Sequence, residues 1–142
     1  MNTIFLGHFL QVTEVEFIKN LVLEEKFNQK KEEFRVSEVA VDQRFVFHGT
    51  GRDAIDKIAS EGFKIGGTEG VAIKTGALYG SGVYTAVNPD ISLAYSRGCK
   101  MMLLSLAIRG KKDVHYNDGA SADVLVFRHV DQLLPRYVVH YS

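Results

Sequence analysis

The sequence predicts an α+β domain, and the order of its local patterns is what predicts it. Helix signals all lie at or before Tyr95, whereas Met101 to Ile108, Asp123 to Phe127 and Arg136 to Tyr141 follow as β-rich runs with no helix between them. A doubly wound domain would alternate the two types to the end of the chain, so consecutive late strands argue for segregated helices and strands. There is no internal repeat, low-complexity tract or linker, and residues 1–142 read as a single domain.

In chain order, Thr13 with Glu16 forms a capping-box pattern, and Phe17, Ile18, Leu21 and Phe27 then recur at helical spacing before charges crowd Lys30 to Glu33. This predicts a first helix, broken near Asn28. Arg44 to Phe47 is a short β-like run, after which Thr50 and Asp53 cap a second helix with Ile55, Ile58 and Ala59 inward and Gly62 as its stop. Seven glycines (62, 66, 67, 70, 76, 80 and 82) then mark a long loop, with Gly66 to Gly76 placed as a lid. Asn88 as N-cap and Pro89 at the first helical position open a short third helix through Tyr95. The continuous apolar run Met101 to Ile108 reads as a strand buried on both faces, Asp123 to Phe127 alternates as a strand, and a last strand follows Pro135.

A chain of 142 residues is large enough to bury about two thirds of its unfolded surface without disulfides or a structural metal. Lysine plus arginine, 17, equals aspartate plus glutamate, 17, so no global field favours nucleic acid or an anionic membrane. The one cysteine, Cys99, excludes an intrachain disulfide and a multi-cysteine zinc site, and reads as a small buried hydrophobe. The first residues lack the charged and apolar regions of a signal peptide, and Met101 to Ile108 is too short to span a bilayer. A soluble intracellular protein is expected, cytoplasmic or nuclear alike.

One stretch carries two nucleotide-binding patterns. Gly49-Thr50-Gly51-Arg52-Asp53-Ala54 fits G-x-G-x-x-A, follows a strand, opens a helix and has Glu69 about twenty residues on, as in a dinucleotide-binding crossover. Against that, the second strand of such a unit should run into the acidic residue, whereas Phe63 to Gly70 is glycine-rich and helices do not separate the C-terminal strands. The rival pattern is Phe47-His48-Gly49-Thr50, answered by Tyr79-Gly80-Ser81-Gly82-Val83-Tyr84-Thr85-Ala86 and by Ser92-Leu93-Ala94-Tyr95. Three matches in one order, with helix signals between them, resemble the NAD-binding signature of the poly(ADP-ribose) polymerase family, the His-Tyr-type ADP-ribosyltransferases.

The resemblance runs from about Phe9 to Tyr141 and is densest between Phe47 and Tyr95. It implies a compact α+β domain in which two small, mainly antiparallel sheets with flanking short helices clasp NAD, used as substrate without a metal. It further implies that His48 hydrogen-bonds the adenine-side ribose and that Gly49 offers its backbone N–H and C=O to the nicotinamide carboxamide, a close approach that a side chain would obstruct. Thr50 caps its helix and touches the ligand, Ser92 hydrogen-bonds the carboxamide, and Tyr84 and Tyr95 face the cationic nicotinamide. An aromatic face stabilises a cation by about 0.5 to 2 kcal/mol.

The family chemistry cleaves the nicotinamide glycosidic bond through an oxocarbenium-like transition state and passes ADP-ribose to an acceptor. An acidic residue that steadies that charge is a glutamate in the polymerising members. Aligning Phe127-Arg128 and Gln132-x-x-Pro135-x-Tyr137 with the family's C-terminal strands places Asp123 there, or Val124 if the one-residue gap falls elsewhere. Members lacking the glutamate generally transfer single units, so the expectation is a monomeric mono-ADP-ribosyltransferase with His48, Tyr84 and Asp123 as its catalytic residues and a protein acceptor. The alternatives are a catalytically silent NAD or ADP-ribose binding module, and a transferase acting on nucleic acid. Forty-seven residues precede His48, so the helical regulatory region that the resemblance associates with the polymerases is not expected here. Arg136, Lys74 and Arg109 to Lys112 read as exposed charge.

Overall fold

The computed structural model describes residues 5–6, 10–65, 79–93, 98–119 and 122–142. Its strands are β1 (Phe5–Leu6), β2 (Leu10–Phe17), β3 (Gln43–His48), β4 (Val83–Ala86), β5 (Met101–Ile108), β6 (Tyr116–Gly119), β7 (Val124–Phe127) and β8 (Leu133–Tyr141). Three α-helices, α1 (Leu21–Val36), α2 (Arg52–Glu61) and α3 (Pro89–Leu93), and a 3-10 turn at Val130–Gln132 complete the described elements. No helix among the described residues is long and apolar enough to cross a membrane.

The α+β class holds, but the two separate sheets do not. β2 to β8 form one antiparallel sheet in the order β2-β8-β5-β3-β4-β7-β6, with β1 paired outside β2. Its two halves, β2-β8-β5-β3 and β4-β7-β6, join through one residue pair, Phe47 with Ala86. That pair extends a continuous rank through Phe17, Tyr137, Leu104, Phe47, Ala86, Val124 and Gly119. The single joint unites the halves, and beyond it β3 and β4 part.

The segment expected to begin the first helix is instead β2. Thr13 is an extra residue in its pairing with β8, where Val12 meets Tyr141 and Glu14 meets His140. This bulge shifts the period of two, so Leu10, Val12, Val15 and Phe17 share a face although Val12 and Val15 are three apart, a spacing that mimics a helix. The true N-cap is Asn20, whose Oδ1 accepts from the Leu23 N–H at 3.2 Å. From there α1 runs unbroken through Asn28 to Val36, burying Leu23, Phe27 and Phe34 against Ile108 and Leu134. Burial of side chains of this size contributes about 1.5 to 3 kcal/mol each.

Arg136 of β8 fixes the start of α1. Its Nη2 donates to Glu24 Oε1 at 2.9 Å, its Nη1 donates to the Ile18 carbonyl at 3.1 Å, and its guanidinium stands 5.0 Å from the centre of the Phe17 ring. The guanidinium, aided by Lys19, holds the Glu24 carboxyl below its ordinary pKa. Arg136 is therefore an internal clamp rather than free surface charge.

α2 packs Ile55 and Ile58 on the face that carries Val46, Leu103, Val138, Val83, Leu125 and Phe127. Thr50 and Asp53 do not cap it: the N-cap is Gly51, with no side-chain cap bond, and Thr50 is buried. Gly62 ends the helix as expected, at φ 86°, its N–H donating to the Ile58 carbonyl. Asn88 Oδ1 accepts from the Asp90 N–H at 2.9 Å, the expected cap of α3. The stretch from Ala94 to Tyr95 and the glycine loop from Gly66 to Gly76 lie outside the described residues.

β5 is buried along most of its length between β3 and β8, as its apolar run predicts. β8 starts earlier than expected and runs through Pro135, whose missing N–H is accommodated by the bulge between Leu104 and Ser105. Gln132, fully buried, explains its place three residues before Pro135: Nε2 donates to the carbonyls of Ile108 (3.0 Å) and Arg109 (3.2 Å), while Oε1 accepts from the His129 N–H at 3.0 Å. Cys99 is half-buried rather than buried, with Sγ 3.4 Å from the Thr50 carbonyl.

Candidate active site

Where β3 and β4 part, a side chain replaces the ladder. His48 ends β3, and its Nδ1 lies 2.7 Å from the Tyr84 carbonyl of β4. A carbonyl only accepts, so Nδ1 carries a proton, which fixes the tautomer of the neutral form of the ring. Phe63, just beyond α2, meets the ring edge-on at 5.1 Å and 84°. The imidazole is thus held in one tautomer and one orientation.

The next residue is fixed by contact with α3. A β-carbon on Gly49 would stand 1.8 Å from the Ser92 carbonyl oxygen and 2.8 Å from its carbon, both backbone atoms that cannot turn aside. Only glycine lets the main chain lie there. Ser92 is itself buried, at 3 % exposure, and Thr50 at 8 % follows Gly49 into the interior. His48, Gly49, Thr50 and Ser92 therefore form one packed corner, in which the Ser92 main chain fills the space that a side chain on Gly49 would take.

Tyr84 meets this corner through its main chain. Its hydroxyl accepts from the Tyr79 N–H at 2.8 Å and donates to the Gly80 carbonyl at 2.7 Å, closing the 79–84 turn on itself. The Tyr79 and Tyr84 rings stack at 6.3 Å and 29°. By the pairing of Ala86 with Phe47, strand alternation assigns Tyr84 to the sheet face opposite His48. Tyr95 lies outside the described residues.

Asp123 is an exposed turn residue one position before β7, not the strand's first member. Its carbonyl accepts from the Val87 N–H at 2.9 Å, which ties it to the end of β4. Alternation in β7 puts Leu125 and Phe127 on the face of His48 and Val124 with Ala86, Phe47 and Tyr84 on the other.

Tyr79, Asn117 and Gly119 adjoin the site without belonging to its sequence-derived residues. Tyr79 was visible in the Tyr-Gly-x-Gly run, but nothing in the sequence shows that Asn117 Nδ2 donates to its carbonyl at 3.2 Å or that its ring lies on Gly119. Among the described residues, Glu14, Glu16 and His140 bring metal-capable atoms within 4.8 Å of one another. They lie on β2 and β8, with His140 Nε2 2.5 Å from Glu16 Oε1, and neither strand pairs with β3.

A sheet joined at one residue pair, with a histidine held to the facing strand where the two halves part, fits the ADP-ribosyltransferase class and its substrate NAD. The family model of the Poly(ADP-ribose) polymerase catalytic domain matches residues 3–125. The chain belongs to that family, and with it to the NAD-dependent ADP-ribosyltransferases. A search of curated proteins finds no match.

Proposed function

We propose that this protein is a mono-ADP-ribosyltransferase that acts as a monomer on a protein acceptor. The observation that carries it is the corner at the end of β3, where His48 is clipped to the Tyr84 carbonyl and Gly49 lies bare against Ser92. Gly49 receives the nicotinamide carboxamide on its main chain, Ser92 adds a hydroxyl, His48 holds the adenine-side ribose and Thr50 touches the ligand. Tyr84 and Tyr95 contribute ring faces to the nicotinamide.

In the reaction the C–N bond between nicotinamide and ribose C1′ breaks, and the electron pair leaves with nicotinamide, which becomes neutral. Positive charge develops on C1′ and the ring oxygen, and the Asp123 carboxylate steadies it. The acceptor's nucleophilic atom then bonds to C1′ and releases its proton to solvent. Aspartate is one methylene shorter than the glutamate of the polymerising members, and a placement error of about 1 Å can cost about a hundredfold in rate. Single-unit transfer follows as the reading that fits this residue.

A catalytically silent NAD-binding module is the second reading, and two observations favour it: Asp123 is exposed, and the Tyr84 hydroxyl is consumed by its own turn. Incubation of the purified protein with NAD labelled in the adenylate separates the readings. Transfer predicts label on protein, one unit per site, with free nicotinamide released and both strongly reduced, though still measurable, in Asp123→Asn. Calorimetric binding without nicotinamide release supports the silent module, label on nucleic acid supports that alternative acceptor, and absence of both binding and release overturns the NAD site itself.

A further inference from the structure

We propose that Tyr79 is a positioning residue that locks the Tyr84 turn to the hairpin carrying Asp123; the role rests on the reaction proposed above. Tyr79 is held in three independent ways. Its N–H donates to the Tyr84 hydroxyl at 2.8 Å, and its carbonyl accepts from Asn117 Nδ2 of β6 at 3.2 Å. Its ring lies on Gly119, where a β-carbon would come within 2.4 to 2.6 Å of three ring atoms. The glycine is a seat for the ring.

Gly119 is not an arbitrary seat. It pairs with Val124 as the last rung of the β6–β7 hairpin, and Asp123 is the next residue toward the hairpin loop. The other hold on Asp123 is its carbonyl, which accepts from Val87 just past β4. Asp123 therefore depends on the base of its hairpin and on the end of β4, and Tyr79 joins the first to the turn that leads into the second. The Tyr84 ring stacks on the Tyr79 ring at 6.3 Å, and its hydroxyl bonds to the Tyr79 N–H and the Gly80 carbonyl keep it on the turn independently of that stack. A short aspartate with little reach makes such fixing matter more, since its carboxylate cannot compensate for a hairpin that drifts.

The experiment compares Tyr79→Ala, Tyr79→Phe and Asp123→Asn with the wild-type chain, reading nicotinamide release, the KM for NAD and amide hydrogen exchange. Tyr79→Ala lowers kcat at least about tenfold while KM for NAD stays within about threefold, because the His48 and Gly49 contacts are untouched. Tyr79→Phe keeps the ring on Gly119 and restores wild-type turnover. In the Asp123→Asn background Tyr79→Ala costs nothing further, the signature of action through that residue. In exchange, the Val124 and Leu125 amides open faster in Tyr79→Ala while those of Met102 to Leu104 do not change.

Wild-type turnover and wild-type hairpin exchange in Tyr79→Ala would overturn the proposal, as would a loss of protection spread evenly over β5, β8 and β7. Should Tyr79→Ala fail to fold, Tyr79→Leu, which keeps apolar bulk without a flat ring, is judged by the same readouts. If the wild-type chain releases no nicotinamide, the transferase reading fails, and the exchange arm alone decides whether Tyr79 fixes the hairpin.

Discussion

The main chain of Gly49 lies against the Ser92 carbonyl so closely that a β-carbon would stand 1.8 Å from its oxygen. This contact joins the residue after β3 to α3 and brings the first and third sequence motifs together. Gly49→Ala must push α3 or the strand end aside, and overpacking of this kind costs about 1 to 3 kcal/mol. The expected outcome is a lower urea midpoint at unchanged m-value together with loss of calorimetric NAD binding. A variant of wild-type stability that binds NAD normally would show that the corner is not the carboxamide site.

The Tyr84 hydroxyl bridges the Tyr79 N–H and the Gly80 carbonyl. Tyr84→Phe keeps the ring and removes both bonds, which costs about 1 kcal/mol for a half-buried group of this kind. Nicotinamide release should fall through kcat, with KM for NAD nearly unchanged because the ring face remains. Tyr84→Ala removes the ring as well, and there KM should rise too. Equal stability of Tyr84→Phe and wild type in thermal unfolding would contradict the turn-closing role.

The parts of this fold that depend on local signals were legible in the sequence: Gly62 ends α2, Asn88 caps α3, and the apolar run of β5 is a buried strand. β2 was not, because the extra residue Thr13 breaks its alternation and exposure of most of its side chains removes the apolar contrast that marks a strand. The union of two half-sheets was equally hidden, since it rests on the pairing of Phe47 with Ala86, thirty-nine residues apart in a register no local pattern encodes. For the site, the residue types of the motifs were readable and their geometry was not. Nothing in Tyr84 announces that its hydroxyl bonds its own turn, and Gly119, two positions past Asn117, carries no sign of the ring that rests on it.

Asn20 joins two helices. Its Oδ1 caps α1, and its Nδ2 donates to the carbonyls of Ala59 and Ser60 at the end of α2, each at 3.0 Å. Asn20→Ala loses the cap and leaves two helix-end carbonyls without these donors, a destabilisation of about 1 to 3 kcal/mol. Asn20→Asp keeps the cap oxygen but not the amide donors, so its urea midpoint should fall between the other two. If Asn20→Asp matches wild type, the bonds to α2 contribute nothing.

His115 gives the fold a dependence on pH whose sign is fixed by its surroundings. Its Nδ1 accepts from the Lys111 N–H at 2.9 Å, a bond only an unprotonated nitrogen can make, and its ring packs on Phe34 at 4.4 Å. Burial, then the positive charges of His129, Lys30 and Lys111 against the opposing Glu33, lowers its pKa from the ordinary 6.5. The unfolded chain therefore takes up this proton near pH 6.5 and the folded chain only at lower pH. The stability owed to neutral His115 is complete above that value and declines as pH falls toward the folded pKa. His115→Gln can still accept from Lys111 but does not titrate, so its unfolding free energy should fall less than that of wild type between pH 7 and pH 5.5. Parallel curves for the two proteins would mean that His115 is not the group responsible, whereas convergence at the acid end would locate the proton on its imidazole.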